Sequence, residues 1–259
     1  MTAATGQRVR LETDGPVAVV TIDRPEVRNA IDRPTAEAIS EAMDEVDARS
    51  DVRAVVLTGA GGFFSAGMDL KAFSATKERP ITGGRGAFGI VEQPPRKPVV
   101  AAVEGKALGG GFEIALACDL IVAAEDAWVG LPEVRRGLIA AAGGVLRLPQ
   151  RVPRAVAKRL VLTGEPIDAV EAQRIGLVSE VAPSGGALAA ATALAASIAA
   201  NAPMAVRGAK RILDESVDWP SSEAFARQAA VTDPVRSSAD AAEGATAFVE
   251  KRDPVWVDG

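Results

Sequence analysis

The chain is organised around the run Gly105-Lys106-Ala107-Leu108-Gly109-Gly110-Gly111-Phe112-Glu113, in which three consecutive glycines lead into a helix-like segment, Phe112–Ala117. An apolar run, Pro98–Val103, precedes it, and a second one, Leu120–Ala124, follows it. Short continuous apolar runs that end in turn residues are typical of buried strands. The order strand, loop, helix, strand therefore predicts an α/β fold with at least some parallel strand pairing.

The same pattern extends towards the N-terminus. Gln7–Glu12 and Val17–Asp23 are β-rich runs on either side of Thr13-Asp14-Gly15-Pro16, which predicts a hairpin. Arg53–Thr58 is another apolar run that ends in glycines and predicts a buried strand. Pro34 opens a predicted helix, in which apolar residues recur at helical spacing: Ala36, Ile39, Met43 and Val46.

The second half of the chain differs in composition from the first. Ile81–Gln93 contains four glycines and is followed by two prolines, which predicts a mobile loop. After Pro183 the chain becomes rich in alanine, and we predict helices within Ala187–Ala200, Met204–Ser216 and Glu223–Ala230. The predicted organisation is an α/β body over residues 1–190 and a helical region over residues 191–259.

Composition restricts the class of protein. With 259 residues, 48% hydrophobic and 24% charged, the chain suits a soluble globular protein. A net charge of −5 gives little support for nucleic-acid binding. We expect no membrane segment and no signal peptide, because the longest apolar stretches, such as Ala115–Ala124, are short and Met1–Arg10 has no apolar run. One cysteine excludes an internal disulfide framework and fits a reducing cytoplasm.

Two absences restrict the chemistry further. The chain contains no histidine and no tyrosine. Catalysis by Ser-His-Asp or Cys-His groups and metal sites that use histidine are therefore excluded. Chemistry at neutral pH would have to use carboxylates, lysine, serine or backbone amides.

Three segments together resemble the enoyl-CoA hydratase (crotonase) family. They are Phe63-Phe64-Ser65-Ala66-Gly67-Met68-Asp69-Leu70, then Gly105–Glu113 leading into Ala117-Cys118-Asp119-Leu120, then Gly130-Leu131-Pro132-Glu133 followed by Gly143-Gly144. The resemblance runs from about Arg8 to Asp253-Pro254. It implies a spiral of ββα units with a C-terminal helical oligomerisation region. It also implies a homotrimer or a hexamer built as a dimer of trimers, an acyl-CoA substrate, and no separate cofactor or metal.

Glu113 and Glu133 stand where hydratases of this family carry their catalytic glutamates. The resemblance implies reversible syn addition of water to a trans-2-enoyl-CoA, with Glu113 activating the water and Glu133 protonating the α-carbon. Two carboxylates suit this work when one is ionised and the other is kept protonated. The enolate oxygen needs preorganised N–H donors, and by resemblance these are the amides of Ala66 and Gly110.

Further residues match the family's substrate contacts. Lys97 is an additional, weaker candidate for the phosphates of CoA. The terminal helix of family members reaches a CoA site with an aromatic residue and a lysine, here Phe248 and Lys251. The predicted CoA and substrate contacts are Arg28, Ala66, Gly67, Met68, Asp69, Leu70, Gly110, Ala141, Phe248 and Lys251.

The substrate stays open between several alternatives. Gly144-Val145-Leu146-Arg147-Leu148-Pro149 and Glu250–Trp256 look most like carnitinyl-CoA dehydratases within the family, whereas Ala140 and Ala141 depart from both these and typical hydratases. An extra methyl group at Ala141 would reshape the acyl pocket. An enoyl-CoA isomerase usually works with one carboxylate, so the presence of both glutamates argues against it. A non-catalytic CoA-binding protein would not need to retain both glutamates and both oxyanion segments.

Overall fold

The computed structural model describes residues 8–259, so Gln7 of the predicted first strand and most of Met1–Arg10 lie outside the described residues. Strand β1 (Val9–Asp14) pairs antiparallel with β2 (Val17–Ile22) as the predicted hairpin. These strands begin a six-stranded sheet that continues in parallel through β3 (Ala54–Gly59).

Two very short strands, β4 (Ile81–Thr82) and β5 (Gly86–Ala87), form a separate hairpin. The large sheet continues in parallel through β6 (Val99–Val103), β8 (Leu120–Ala124) and β11 (Glu180–Ala182). Its central strands are continuously apolar because both faces of the sheet are covered. The predicted buried strands and their parallel pairing are confirmed.

A smaller sheet carries the turns that follow the central strands. It consists of β7 (Lys106–Leu108), β9 (Trp128–Gly130) and β10 (Ile167–Asp168), with β9 in the middle. β7 directly follows β6 and leads into helix α3 (Gly110–Ala117), and β9 follows β8 in the same way. The chain thus repeats a strand–strand–helix unit, which confirms the predicted spiral of ββα units.

The remaining helices follow the predicted pattern with small differences at their ends. α1 begins one residue before Pro34, because the Asp32 carboxylate accepts a hydrogen bond from Thr35 N–H at 3.0 Å and caps the helix. Three short 3₁₀ helices span Pro25–Val27, Glu133–Arg136 and Ser216–Asp218. The helices are α1 (Arg33–Ala48), α2 (Leu70–Thr76), α4 (Gly144–Arg151), α5 (Arg154–Thr163), α6 (Ala169–Arg174), α7 (Ala187–Ala199), α8 (Pro203–Glu215), α9 (Ala224–Arg236) and α10 (Ala239–Glu250).

Helix α7 packs on the face of the large sheet. Its buried residues recur at every fourth position, and the small alanine side chains allow a close approach to Val56 and Ala102 of the sheet: Ala187, Ala191, Ala195 and Ala199. The alanine-rich face of α7 therefore covers the chain's own sheet. The predicted domain boundary at residue 190 falls inside this helix and stays a prediction.

The glycine-rich segment 81–93 is packed, where the sequence predicts a mobile loop. Arg85 is only 7% exposed and pairs with Asp44 at 2.8 Å and with Asp47 at 2.9 Å, both on α1. Phe88, Ile90 and Val91 are buried in the main core. The buried Arg85 side chain, paired with Asp44 and Asp47, and the apolar side chains fix this segment against α1, so it forms a wall beside the candidate site.

Within residues 8–259, no single helix is long and apolar enough to cross a membrane, and only the bent pair Ala187–Ala199 and Pro203–Asp218 meets that test by length and composition.

Candidate active site

Glu113 is buried in the first turn of α3. Only 3% of the surface of this residue is exposed. One carboxylate oxygen, Oε1, accepts hydrogen bonds from the N–H groups of Ala142 at 2.7 Å and Gly144 at 2.9 Å. The loop before α4 therefore holds Glu113 in one orientation through Oε1. The second oxygen, Oε2, is not used in these hydrogen bonds.

Glu133 approaches the same place from the neighbouring unit. β7 and β9 are parallel, with Leu108 opposite Gly130, so the segments that follow both strands leave the sheet at one edge. A side-chain carbon built on Gly109 would lie 3.2 Å from Glu133 Oε1, which places this carboxylate beside the start of α3. Glu133 Oε2 is buried and has no hydrogen-bond partner among the described residues.

Burial raises the pKa of both carboxyl groups. For Glu113, the negative charge of Glu133 raises the pKa further, while the Gly144 and Ala142 amides and the Arg147 guanidinium act in the opposite direction. For Glu133, burial is again the largest cause of the raised pKa, and the charge of Arg136 opposes it. Two close carboxyl groups of this kind suit an arrangement in which one is ionised and the other protonated.

Two backbone segments meet beside these carboxylates. Gly67 has a φ of +81°, and a side-chain carbon on it would lie 2.7 Å from the amide nitrogen of Gly110. Glycine is therefore required at position 67 both by its backbone conformation and by this contact. The contact brings the Phe63–Leu70 segment and the start of α3 together, as the resemblance implies.

One of the two predicted oxyanion donors, the N–H of Ala66, already has a hydrogen-bond partner in the structure. The N–H of Ala66 donates to the Arg28 carbonyl at 3.0 Å and is not available to a ligand. The N–H of Asp69 is likewise engaged, with the Ile31 carbonyl at 2.9 Å. Within the part of the chain that the structure describes, the amides of Met68 and Gly110 have no acceptor. Met68 and Gly110 therefore have free N–H groups at this contact, whereas Ala66 does not, and the prediction of Ala66 as a donor is wrong.

The predicted CoA-binding stretch is partly exposed and partly structural. Arg28 is exposed and adjoins Ala66 through the hydrogen bond just described, so these two predicted contacts lie together. Ala66 and Leu70 are exposed, whereas Asp69 is buried. The Asp69 carboxylate caps α2 by accepting from Ala72 N–H at 3.0 Å and pairs with Arg24 at 3.1 Å, so its contacts are structural.

Two other predicted lysines are not at this site within one chain. Lys97 is buried and donates to the carbonyls of Val46 and Arg49 at the end of α1, which removes it as a phosphate contact. Lys251 ends α10, and Phe248 on that helix is 85% exposed.

The position of α10 decides whether its residues can reach the candidate site of the same chain. The segment after α10 reaches the amino-terminal end of β3, where the Arg53 guanidinium donates to the Trp256 carbonyl at 3.2 Å. The segments that carry the candidate site follow the carboxyl-terminal ends of β3 and β6. The structure therefore does not bring Phe248 and Lys251 to the glutamate pair of the same chain.

Ala141 is exposed and directly precedes Ala142, whose amide holds Glu113. It thus lies next to the loop that holds Glu113, and its contact with the acyl group stays a prediction. Phe88 was missed by the sequence reasoning. A side-chain carbon on Gly110 would collide with the Phe88 ring, so this ring lies directly against Gly110, whose amide is free. Its φ of +56° is unusual for an aromatic residue and leaves no trace in the sequence.

Among residues 8–259, no group of three or more His, Cys, Asp or Glu side chains is placed to hold a metal ion.

Two buried carboxylates beside two free amides, on stacked ββα units, define a crotonase-fold protein. The chain belongs to the enoyl-CoA hydratase/isomerase family, whose model matches residues 12–259. This confirms the predicted family and fold.

Several proteins that match nearly the whole chain carry related names. An enoyl-CoA hydratase from Mycobacterium marinum is 48% identical, with a TM-score of 0.95 over 97% of this chain and 99% of that chain. A carnitinyl-CoA hydratase from Mycobacterium avium is 44% identical, with a TM-score of 0.78 over 98% of this chain and 100% of that one. A carnitinyl-CoA dehydratase from Salmonella heidelberg is 40% identical, and the match covers 96% of this chain and 98% of that protein.

Proposed function

We propose that this protein is an enoyl-CoA hydratase that adds water reversibly, in the syn sense, to a trans-2-enoyl-CoA thioester. The observation that carries the proposal is Glu133 Oε2, a buried oxygen without a hydrogen-bond partner in residues 8–259, beside the fixed carboxylate of Glu113. Buried polar atoms are nearly always hydrogen-bonded. An unpartnered one in a site with free amides suits a protein whose missing partner is the reacting molecule.

The two carboxyl groups differ in a way that supports different roles for them. Two N–H donors stabilise the ionised form of Glu113. Glu133 Oε2 has no such donor within the described chain, which favours its protonated form. Glu113 therefore accepts the proton from water while the hydroxyl oxygen bonds to the β-carbon. Glu133 delivers its own proton to the α-carbon, and the pair returns to its starting state by proton exchange.

The free amides of Met68 and Gly110 stabilise the charge that develops between these events. As the C–O bond forms at the β-carbon, negative charge moves onto the thioester oxygen. Two fixed N–H groups can bind that oxygen without reorganisation, and removal of one such donor typically lowers turnover by about 10²–10³-fold. Gly110 also begins α3, where the helix dipole favours negative charge.

The test is hydration of crotonyl-CoA, followed by loss of the enoyl-thioester absorbance. Glu113→Gln and Glu133→Gln should each lower kcat by at least about 10²-fold, since positioned acid–base groups contribute about 10²–10⁴. Glu41→Gln, at an exposed position on α1, is the control and should retain full activity. Both active-site variants should still bind the thioester. Near-normal hydration by both would exclude the assignment.

A carnitinyl-CoA dehydratase is the second candidate, and the relatives from Mycobacterium avium and Salmonella heidelberg favour it. The same carboxylates would act on an acyl group that carries a quaternary ammonium. A comparison of kcat/KM for crotonyl-CoA, crotonobetainyl-CoA and longer enoyl-CoAs distinguishes the two candidates. A clear preference for crotonobetainyl-CoA would replace the first proposal by the second.

We also propose a cytoplasmic location, a role in fatty acid metabolism and assembly into trimers or hexamers. The single cysteine, Cys118, is buried, and its pKa is raised to about 12 by burial, so it is an inert thiol that suits a reducing compartment. The support for assembly is the exposed apolar surface of the C-terminal helices.

A further inference from the structure

Arg147 lies one turn into α4 and has no role in the hydration steps proposed above for Glu113, Glu133 and the free amides. Its side chain is half-buried, and its guanidinium donates to the backbone carbonyl of Val91. The same guanidinium fills the space that a side-chain carbon on Gly143 would occupy, and Gly143 has a φ of +90°. Arg147 is therefore packed directly on the loop that precedes α4.

This arginine connects the two sides of the site. On one side, the loop under Arg147 supplies the Ala142 and Gly144 amides that hold Glu113. On the other side, Val91 belongs to the buried wall whose Phe88 ring lies against Gly110. Loss of the guanidinium would remove the hydrogen bond that links the loop holding Glu113 to Val91 of that wall.

The charges around Glu113 come from two elements. Glu133, on its 3₁₀ helix, raises the pKa of Glu113, and Arg147, on α4, lowers it. Arg147 itself is faced by Arg151 on α4, by Cys118 after α3, and by Asp214 on α8, and burial lowers its pKa. A cation so placed favours the ionised form of Glu113 against burial and against its carboxylate neighbour.

We propose that Arg147 is a positioning residue of the hydration reaction, which fixes the Ala142–Gly144 loop against the Phe88–Val91 wall and sets the orientation and charge of Glu113. The inference rests on the proposed function. It goes beyond that function because Arg147 contacts neither the reacting atoms nor the thioester in this scheme. It acts through Glu113.

The experiment compares Arg147→Met and Arg147→Lys with Arg151→Met. Arg151 is the matched control, because it lies one turn further along α4 and also donates to backbone carbonyls, those of Leu116 and Cys118. For Arg147→Met we expect kcat to fall by about 10–100-fold, as misplacement of a reacting group typically does. The acid limb of the kcat/KM profile should move to higher pH, since this limb reports ionisation of the free enzyme.

Arg147→Lys keeps the charge but loses the planar group, so it should restore the position of the acid limb and only part of kcat. Arg151→Met should leave the acid limb unchanged. An infrared titration of the Glu113 carboxyl band, assigned with Glu113→Gln, gives the same comparison without turnover and applies to any variant that folds by circular dichroism.

The outcomes separate the two proposals. A wild-type protein that hydrates no enoyl-CoA would exclude the proposed function, whereas the infrared titration would still test the link between Arg147 and Glu113. An active wild type with an unmoved acid limb and an unmoved carboxyl band in Arg147→Met would overturn the inference. If Arg147→Met does not fold, the same unmoved limb in Arg147→Gln would overturn it.

Discussion

Glu133 shows how a single side chain links stability to catalysis. Burial raises its pKa above the ordinary value of 4.5. Between that value and the raised value, the folded state binds more protons than the unfolded state. The free energy of unfolding therefore falls as pH rises through this window, and the loss persists above it.

Glu133→Gln should remove this dependence. We expect the variant to gain on the order of 1 kcal/mol in unfolding free energy relative to wild type at about pH 8, and to gain little at about pH 4, where the wild-type group is protonated. Urea unfolding at both pH values measures the difference, with Glu41→Gln as the exposed control. An equal effect at both pH values would show that ionisation of Glu133 is not its cause. The same variant should be inactive, as expected of a residue retained for function.

Gly67 offers a second prediction at the scale of one residue. Gly67→Ala would place a methyl group 2.7 Å from the Gly110 nitrogen and separate the two free amides. Gly62→Ala is a matched control, because its φ of +73° imposes similar strain while nothing lies within 4 Å of the new carbon. Hydration assays should show kcat reduced by about 10²-fold or more in Gly67→Ala, as for loss of an oxyanion donor, and little changed in Gly62→Ala. Equal activity of the two variants would contradict the contact.

At the scale of elements, the periodic features were predictable and the local contacts were not. Apolar runs placed the central strands, and family spacing placed Glu113 and Glu133 beside each other. The Ala66 donor was wrong because the N–H of Ala66 donates to the Arg28 carbonyl, whereas the N–H of Met68 has no acceptor in the described chain. Sequence spacing cannot show which amides a neighbouring segment uses.

The wall segment 81–93 was misassigned for a related reason. Its glycines and Arg85 have the composition of a solvated loop, but Arg85 is buried by two partners that lie about forty positions earlier in the sequence, Asp44 and Asp47. Ion pairs between distant segments leave no periodic signal. The same pairing predicts how strongly the stability of this wall depends on Arg85.

Arg85→Met should destabilise the protein by about 3 kcal/mol, because its removal leaves the largely buried Asp47 carboxylate without its cation. Arg49→Met is the control, since Arg49 pairs with the exposed Asp51 and such surface pairs contribute about 0–1 kcal/mol. Urea unfolding monitored by circular dichroism gives both values. Similar, small losses in the two variants would show that the buried pairs do not hold the wall in place.

At the scale of the whole molecule, the C-terminal helices are incompletely covered. In the described chain, α9 has no buried residue, and α8 has only Pro203. Large apolar side chains on this surface are exposed, including Leu213, Phe225 at 83%, Phe248 at 85% and Val249. Apolar surface of this extent typically marks an interface between proteins. A second copy of the chain is the partner that we propose, in agreement with the predicted trimer or hexamer.

Assembly would also explain the position of Lys251, which one chain holds away from its own glutamates. If Lys251 reaches the CoA phosphates of a neighbouring subunit, Lys251→Ala should raise KM for CoA thioesters and leave kcat nearly unchanged, as loss of a contact made equally in ground and transition states does. Lys158→Ala, at an exposed position on α5, is the control. Light scattering should show a trimer or a hexamer, and a fully active monomer would contradict the assembly.

A mixing experiment tests whether Lys251 acts across subunits. Glu113→Gln chains lack the catalytic carboxylate but keep Lys251, and Lys251→Ala chains have the opposite combination. After dissociation and reassembly of the mixture, sites with an intact Glu113 would receive Lys251 from a Glu113→Gln neighbour. The mixture should therefore be active with the low KM of the wild type, whereas Lys251→Ala alone has a raised KM and Glu113→Gln alone has little activity. A KM that stays at the Lys251→Ala value in confirmed mixed oligomers would place Lys251 outside the neighbouring site.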